Sequence, residues 1–159
     1  MKRVLTVVAV ALLAVVGASS LHAQSNAVVG TWKLNLTKSK FDPGPAPKSL
    51  TRTVVAAGDG LKYTFEGVSA DGKPVSYSFT VKFDGKDYPV TGAMPAGADN
   101  ISVKKVDANN YEATLKKSGK VIGTSKVTVS TDGKVTTVDA SGTNAAGAKT
   151  HDVQVYDKQ

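Results

Sequence analysis

Roughly every dozen residues this sequence turns. Asp59-Gly60, Asp71-Gly72-Lys73, Asp84-Gly85-Lys86, Ser118-Gly119-Lys120 and Asp132-Gly133-Lys134 punctuate runs rich in Val, Thr, Tyr and Phe. Asp or Ser followed by Gly supplies the residue of positive φ that a tight hairpin needs. Repeated at this spacing, it predicts an antiparallel all-β meander. After the first two dozen residues no 3.6-residue apolar period appears, so no helix is expected.

The pattern also predicts register. Leu61, Tyr63, Phe65 and Gly67 share one face of a run, and Val75, Tyr77, Phe79, Val81 and Phe83 share one face of the next. A two-residue turn at Asp71-Gly72 would set Glu66 opposite Tyr77, placing these faces on opposite sides of the sheet. A three-residue loop, Ala70-Asp71-Gly72, sets Phe65 opposite Tyr77 and Tyr63 opposite Phe79. A one-residue slip reverses every side chain, so the apolar match selects the three-residue form. The same form predicts Leu115 opposite Val121 and Val129 opposite Val135.

The strand-like runs are 28–37, 50–57, 61–69, 74–83, 88–93, 100–106, 111–117, 120–130, 134–142 and 149–158. One antiparallel sheet of that size curls and closes, because an open one leaves unpaired edges. The expected fold is a single up-and-down antiparallel β-barrel of about 8–10 strands; a two-sheet sandwich is the structural rival. Between the first two runs, residues 38–49 carry Pro43, Pro45 and Pro47, which forbid a helix or central strand. A stiff extended loop is expected there, either a lid over a barrel mouth or, preferred here, a connection anchored by Phe41.

The N-terminus reads differently. Lys2-Arg3, the apolar run Val4–Val16 and the small residues leading to Leu21-His22-Ala23 form a secretory signal with a cut expected after Ala23. The expected division is therefore signal peptide 1–23 and barrel domain 24–159, with a periplasmic or secreted destination. The sequence has no cysteine, which excludes disulfides, thiolate metal sites, Cys nucleophiles and a lipid-modified Cys at the cut. The chain carries +7, and +5 once Lys2 and Arg3 are set aside. The lysines are scattered, which fits a solvated surface with at most weak contact with anionic envelope surfaces. No aromatic-lined basic groove is apparent, so nucleic acid is not expected as a partner. A monomer is expected.

Gly30-Thr31-Trp32 on the first strand resembles the Gly-x-Trp signature of the lipocalins and the wider calycin group. The hairpins after it and the terminal strand Val153-Gln154-Val155-Tyr156-Asp157-Lys158 are also similar to fatty-acid-binding proteins. The resemblance spans nearly the whole chain after residue 23, although its specific motif is three residues long. The two short helices of fatty-acid-binding proteins are replaced by the proline-rich loop. The late Arg that packs on the Trp in lipocalins has no counterpart late in this sequence. The resemblance implies a closed barrel with any ligand inside.

The candidate ligand-binding residues are Trp32, Arg52, Tyr63, Phe65, Tyr77, Phe79 and Leu115. Trp32 is the only Trp and suits barrel-floor packing or ligand contact. The four aromatics of the 61–83 hairpin form an inward patch, either core or pocket wall. Arg52, the only Arg after residue 3, faces inward if Val54 does and outward if Val55 does; inward, its fork of donors would suit a carboxylate. His151 and Asp152 are neighbours on one strand and point to opposite faces, so they form no dyad. No Gly-x-Ser-x-Gly elbow and no calcium-loop spacing occurs. Neither a catalytic residue, a metal site nor a cofactor is expected.

Three readings follow. The first is a non-enzymatic exported carrier or sequestering protein for a small hydrophobic or amphipathic molecule, which requires a cavity of at least ~300 Å³. The second is an envelope or extracellular interaction module with a solid core, using an edge strand or its lysines. The third, an enzyme working through tyrosine or carboxylate chemistry, has least support.

Overall fold

A computed structural model describes residues 27–144 and 147–159. The signal peptide expected at 1–23 lies outside the described residues. Those described form eleven β-strands and no helix. They are β1 Gly30–Leu34, β2 Lys40–Asp42, β3 Ser49–Ala57, β4 Gly60–Val68, β5 Pro74–Val81 and β6 Asp84–Gly92. After these come β7 Asn100–Lys105, β8 Asn110–Lys117, β9 Lys120–Val129, β10 Val135–Thr143 and β11 Lys149–Lys158. From β3 to β11 each strand pairs antiparallel with the next. β1 joins β3 on one side and β11 on the other, which closes a ten-strand barrel. No sandwich forms.

The first run is where sequence and structure differ most. It was expected to continue to Thr37, but β1 ends at Leu34 and residues 36–38 turn away. Leu36, expected on the face of Trp32 and Leu34, is 41% exposed. The chain then returns as β2, which pairs Lys40–Asp42 with Val153–His151 of β11. β11 is thus covered by β1 along its lower half and by β2 along its upper half. Ser39 joins the two: its Oγ donates to Asn35 O at 2.7 Å and accepts the Val155 N–H at 2.9 Å. β2 is the one strand outside the ten-strand count.

The β4–β5 hairpin has the expected register, with Tyr63 opposite Phe79 and Phe65 opposite Tyr77. Gly72 has φ +86°, and Ser69 closes the loop by bonding Lys73 through both backbone and side chain. Two other registers differ. At Ser118-Gly119 both turn residues have positive φ, giving a two-residue turn that pairs Lys117 with Lys120. A bulge at Leu115/Lys116 then restores the inner face, setting Leu115 opposite Gly123 and leaving Val121 58% exposed. At 130–134 the loop is one residue longer than expected, so Val129 faces Thr136. Val129 and Thr136 are both buried. The β5–β6 pairing is centred on Asp84-Gly85 as expected, with Tyr77 opposite Gly92 and Phe79 opposite Val90; both Phe83 (φ +61°) and Gly85 (φ +75°) take positive φ there, β5 stops at Val81 and β6 starts at Asp84.

Packing is concentrated at the end of the barrel where β1 begins. Trp32, Val54, Val81 and Tyr156 are almost completely buried, with Leu61 and Val129 beside them. The Trp32 indole N–H donates to Val28 O at 2.9 Å, so the large apolar ring is buried without leaving its polar atom unpaired. Where strands bend hard against one another there is no room for a side chain. A Cβ at Gly67 would run into the Ser49 carbonyl oxygen of β3.

Candidate functional site

Above that packed end the barrel is hollow. The cavity has a volume of about 430 Å³. All strands except β1 and β6 contribute to its wall. The lining is predominantly aliphatic and aromatic, including Leu50, Val75, Ile101, Val103, Leu115, Val127 and Val138. The rim is formed by Pro45 and Pro47 of the proline-rich loop, Ser69 and Ala70 of the β4–β5 turn, and Met94–Ala96 of the β6–β7 loop. Residues 43–48 are therefore part of the cavity mouth, and Phe41 of β2 lines the wall just inside it.

The β4–β5 hairpin supplies an aromatic wall. Phe65 stacks on Tyr77 with centroids 4.5 Å apart, Tyr63 stacks on Phe79 at 5.1 Å, and Phe65 meets Phe79 at 5.9 Å. Offset stacking of this kind fixes ring positions as well as burying area. Tyr63 and Tyr77 keep accessible area because they face the cavity, yet the barrel encloses their hydroxyls. Burial pushes the Tyr63 hydroxyl up to about 12 and holds Tyr77 well above the ordinary tyrosine value. Both are neutral donors and acceptors in the physiological range.

Arg52 faces inward, next to Phe65 across the β3–β4 pair and next to Trp32 across the β1–β3 pair. Val54 follows it inward, and Val55 is 45% exposed. The guanidinium carbon lies 5.1 Å from the Trp32 ring centroid and 4.7 Å from that of Tyr156. Arg52 is 4% exposed, makes no ion pair with a described residue, and its Nε and Nη2 have no hydrogen-bond partner among the described residues. Burial lowers its pKa. An arginine does stack on the Trp, but it comes from β3 rather than from late in the chain.

Of the seven residues singled out in the sequence, six line the cavity: Arg52, Tyr63, Phe65, Tyr77, Phe79 and Leu115. Trp32 does not reach it. It lies beneath Arg52 in the packed floor, with Lys158 Nζ 5.1 Å from its ring centroid. Several lining residues escaped sequence reasoning. Tyr156 is buried at the cavity base and donates from its hydroxyl to Gln154 Oε1 at 2.7 Å. Thr150, Asp152, Gln154 and Tyr156 form the inner face of β11. Their spacing of two was available, but three polar residues among four hide an inward face from a hydrophobicity pattern.

Asp152 is the one acid among the described lining residues and Arg52 the one base. Asp152 accepts the Asp42 backbone N–H at 3.2 Å, and desolvation raises its pKa. His151 points outward and meets Asp139 Oδ1 through Nε2 at 2.9 Å on the exposed face. Among the described residues no three His, Cys, Asp or Glu side chains gather to hold a metal ion.

The sequence matches no protein-family model and no curated protein. Similar folds occur among solved structures. One is a zebrafish ileal bile acid-binding protein complexed with cholic acid: 15% identity, TM-score 0.51, covering 84% of this chain and 99% of that one. Another is a redesigned β-barrel bound to the small molecule DFHBI, at 12% identity and TM-score 0.45, covering 85% and 98%. A third is the siderocalin Ex-FABP, at 12% identity and TM-score 0.38, covering 84% and 71%. The closed meander and the likeness to the bile acid-binding protein agree on one conclusion: the chain has a calycin-type closed antiparallel β-barrel fold.

Proposed function

We propose that this protein is a non-enzymatic, exported carrier or sequestering protein that holds a small hydrophobic or amphipathic molecule inside its barrel. The observation that carries the reading is the cavity itself. Its volume of about 430 Å³ falls within the usual range for ligand sites, roughly 300–1,000 Å³, and its wall is predominantly apolar, with Arg52 and Tyr156 at the base and polar side chains such as Thr150, Asp152 and Gln154 along β11. A solid core, which the interaction-module reading required, is not what the barrel contains. The fold is shared with a protein that holds cholic acid, which supports the reading. Export rests on the Lys2-Arg3, Val4–Val16 and Leu21-His22-Ala23 pattern.

Native mass spectrometry of the protein purified from its own host, with organic extraction, tests the proposal. The expected result is a reproducible small-molecule adduct that is lost when Tyr63 and Phe79 become Ala in a still-folded protein. An adduct-free mass together with failure to take up any apolar probe contradicts it. N-terminal sequencing of the same preparation is expected to start at Gln24; a chain starting at Met1 contradicts export by cleavage.

A further inference from the structure

Of the two charged residues in the described cavity lining, Arg52 is shut into the floor and Asp152 stands in the wall above it. Arg52 Nε and Nη2 are sealed from solvent, and the guanidinium lies against Trp32 and Tyr156. Asp152 is only half-buried, on the inner face of β11 between Thr150 and Gln154. One of its oxygens accepts the Asp42 backbone N–H at 3.2 Å. The carboxylate makes no ion pair and no other hydrogen bond among the described residues. Its charged neighbours are both exposed: Asp42 is another acid, and His151 is engaged by Asp139 on the outer face. Desolvation raises the Asp152 pKa, which marks a carboxylate that the protein itself leaves short of positive charge.

Strand pairing gives Asp152 two unlike flanks. Phe41 of β2 lies directly opposite it, and both line the cavity. Side chains so opposed have Cβ atoms about 4.5–5.5 Å apart. On the other flank the row continues through Ala140, Ser125 and Ala113 on β10, β9 and β8. These are small side chains that leave room in front of the carboxylate, and Ser125 adds a hydroxyl. A carboxylate beside an aromatic ring is suited to an ammonium group: the first supplies charge-assisted hydrogen bonds, the second a cation–π attraction. A bare metal ion would need several oxygen ligands, and the described residues gather no such set. The remaining wall is aliphatic and aromatic, which suits a cation that carries an apolar body. We propose that the cavity takes amphipathic amines, with the protonated nitrogen held between Asp152 and Phe41 and the apolar body against the aromatic wall of β4 and β5. This rests on the small-molecule reading above and adds to it the ligand's charge class and the residue that selects it.

The test uses the purified chain at pH 7.5 and the neutral apolar probe N-phenyl-1-naphthylamine. Decylamine, decanol and decanoic acid, matched in length, then compete for it. The amine is expected to displace the probe at about tenfold lower concentration than the alcohol, the factor that one charge-assisted hydrogen-bonded pair supplies. The net positive charge of the chain repels the amine and attracts the acid, so this order cannot arise from the surface as a whole. Asp152→Asn keeps an acceptor for the Asp42 N–H. In that variant the gap between amine and alcohol is expected to close to within about twofold, with alcohol competition unchanged. Equal competition by amine and alcohol in the wild-type chain, or a gap that survives Asp152→Asn, overturns the inference and leaves the small-molecule reading intact. Failure of the probe and of all three competitors to bind overturns the small-molecule reading instead.

The carboxyl has its own readout. Carbon-13 NMR titration of the aspartate side chains should show the raised Asp152 pKa fall when decylamine saturates the chain, because a bound cation favours the carboxylate. Decanol should leave it where it is. An Asp152 titration unmoved by saturating decylamine overturns the proposal.

Discussion

A small number of residues decides what the barrel interior is like. Trp32 is the largest of them. It is fully buried, hydrogen-bonded to Val28 O, and flanked by Arg52 and Lys158. Trp32→Phe removes a hydrogen bond and leaves a void, and is expected to destabilise the fold by about 1–3 kcal/mol in urea unfolding. No change in the unfolding midpoint would contradict its role as the floor. The enclosed tyrosines predict an alkaline limit. Tyr63 and Tyr156 are pushed up from 10.0 to about 12 by burial. A raised pKa in the folded state means the fold holds the proton more tightly. Its stabilising effect is complete below about pH 10 and is lost as pH rises toward about 12. Each tyrosine should then cost about 1.4 kcal/mol per pH unit across that window. Ultraviolet titration should show both ionising late, together with unfolding; ionisation near pH 10 in a folded protein would contradict their enclosure. The orientation of Arg52 was not legible in the sequence. Val54 and Val55 are equally apolar, so alternation could not choose between faces. The contacts that settle it come from Trp32 on β1 and Tyr156 on β11, far apart in the chain.

At the scale of elements, the turns carried most of the fold. Asp-Gly and Ser-Gly pairs fall at or next to five of the eight connections between β3 and β11, and the aromatic match between β4 and β5 selected the correct loop length. The apolar pattern misleads where the inner face holds small or polar residues. Leu115 meets Gly123, and Val129 meets Thr136, so pairing apolar with apolar chose the wrong register at both turns. A bulge, which the pattern cannot show, repairs the first. The break between β1 and β2 was also hidden, because Leu36 continues the alternation although it points to solvent. Ser39 is the clasp across that break, so Ser39→Ala is expected to cost about 1–2 kcal/mol. It should also speed hydrogen exchange at the Val155 amide, which Ser39 Oγ accepts. Unchanged exchange there would show that β2 is held by its ladder alone. Gly67→Ala should cost about 1–3 kcal/mol in thermal or urea unfolding, because the added Cβ collides with Ser49 O and β3 must shift; a neutral substitution would mean the strands can part there freely.

For the whole molecule, closure and hollowness are separate properties. Closure was the expectation but not settled by the sequence, which left a two-sheet sandwich as the rival; the pairing of β1 with β11 decides for the barrel. Hollowness was not legible, since an aromatic patch on one hairpin serves equally as core or as pocket wall. What separates them is the inner face of the remaining strands. Ala113, Ala140, Gly123 and Gly142 are too small to meet the aromatic wall, and that shortfall of side-chain volume is the cavity. The mouth was half legible. Three prolines announced a stiff extended segment, but only the closed barrel puts Pro45 and Pro47 beside Met94 and Pro95 at the rim.

The central claim is that this cavity receives a ligand. Filling it tests the claim most directly. Ala113 is buried, lines the cavity and lies on β8, away from the floor of Trp32 and Arg52. Ala113→Trp should occupy the cavity while leaving the strand circular dichroism in place. Fluorescence titration with N-phenyl-1-naphthylamine should saturate at one site in the wild-type chain and weaken at least about tenfold in Ala113→Trp. Saturable binding that is indifferent to Ala113→Trp, or no binding to either protein, would contradict a ligand-holding barrel.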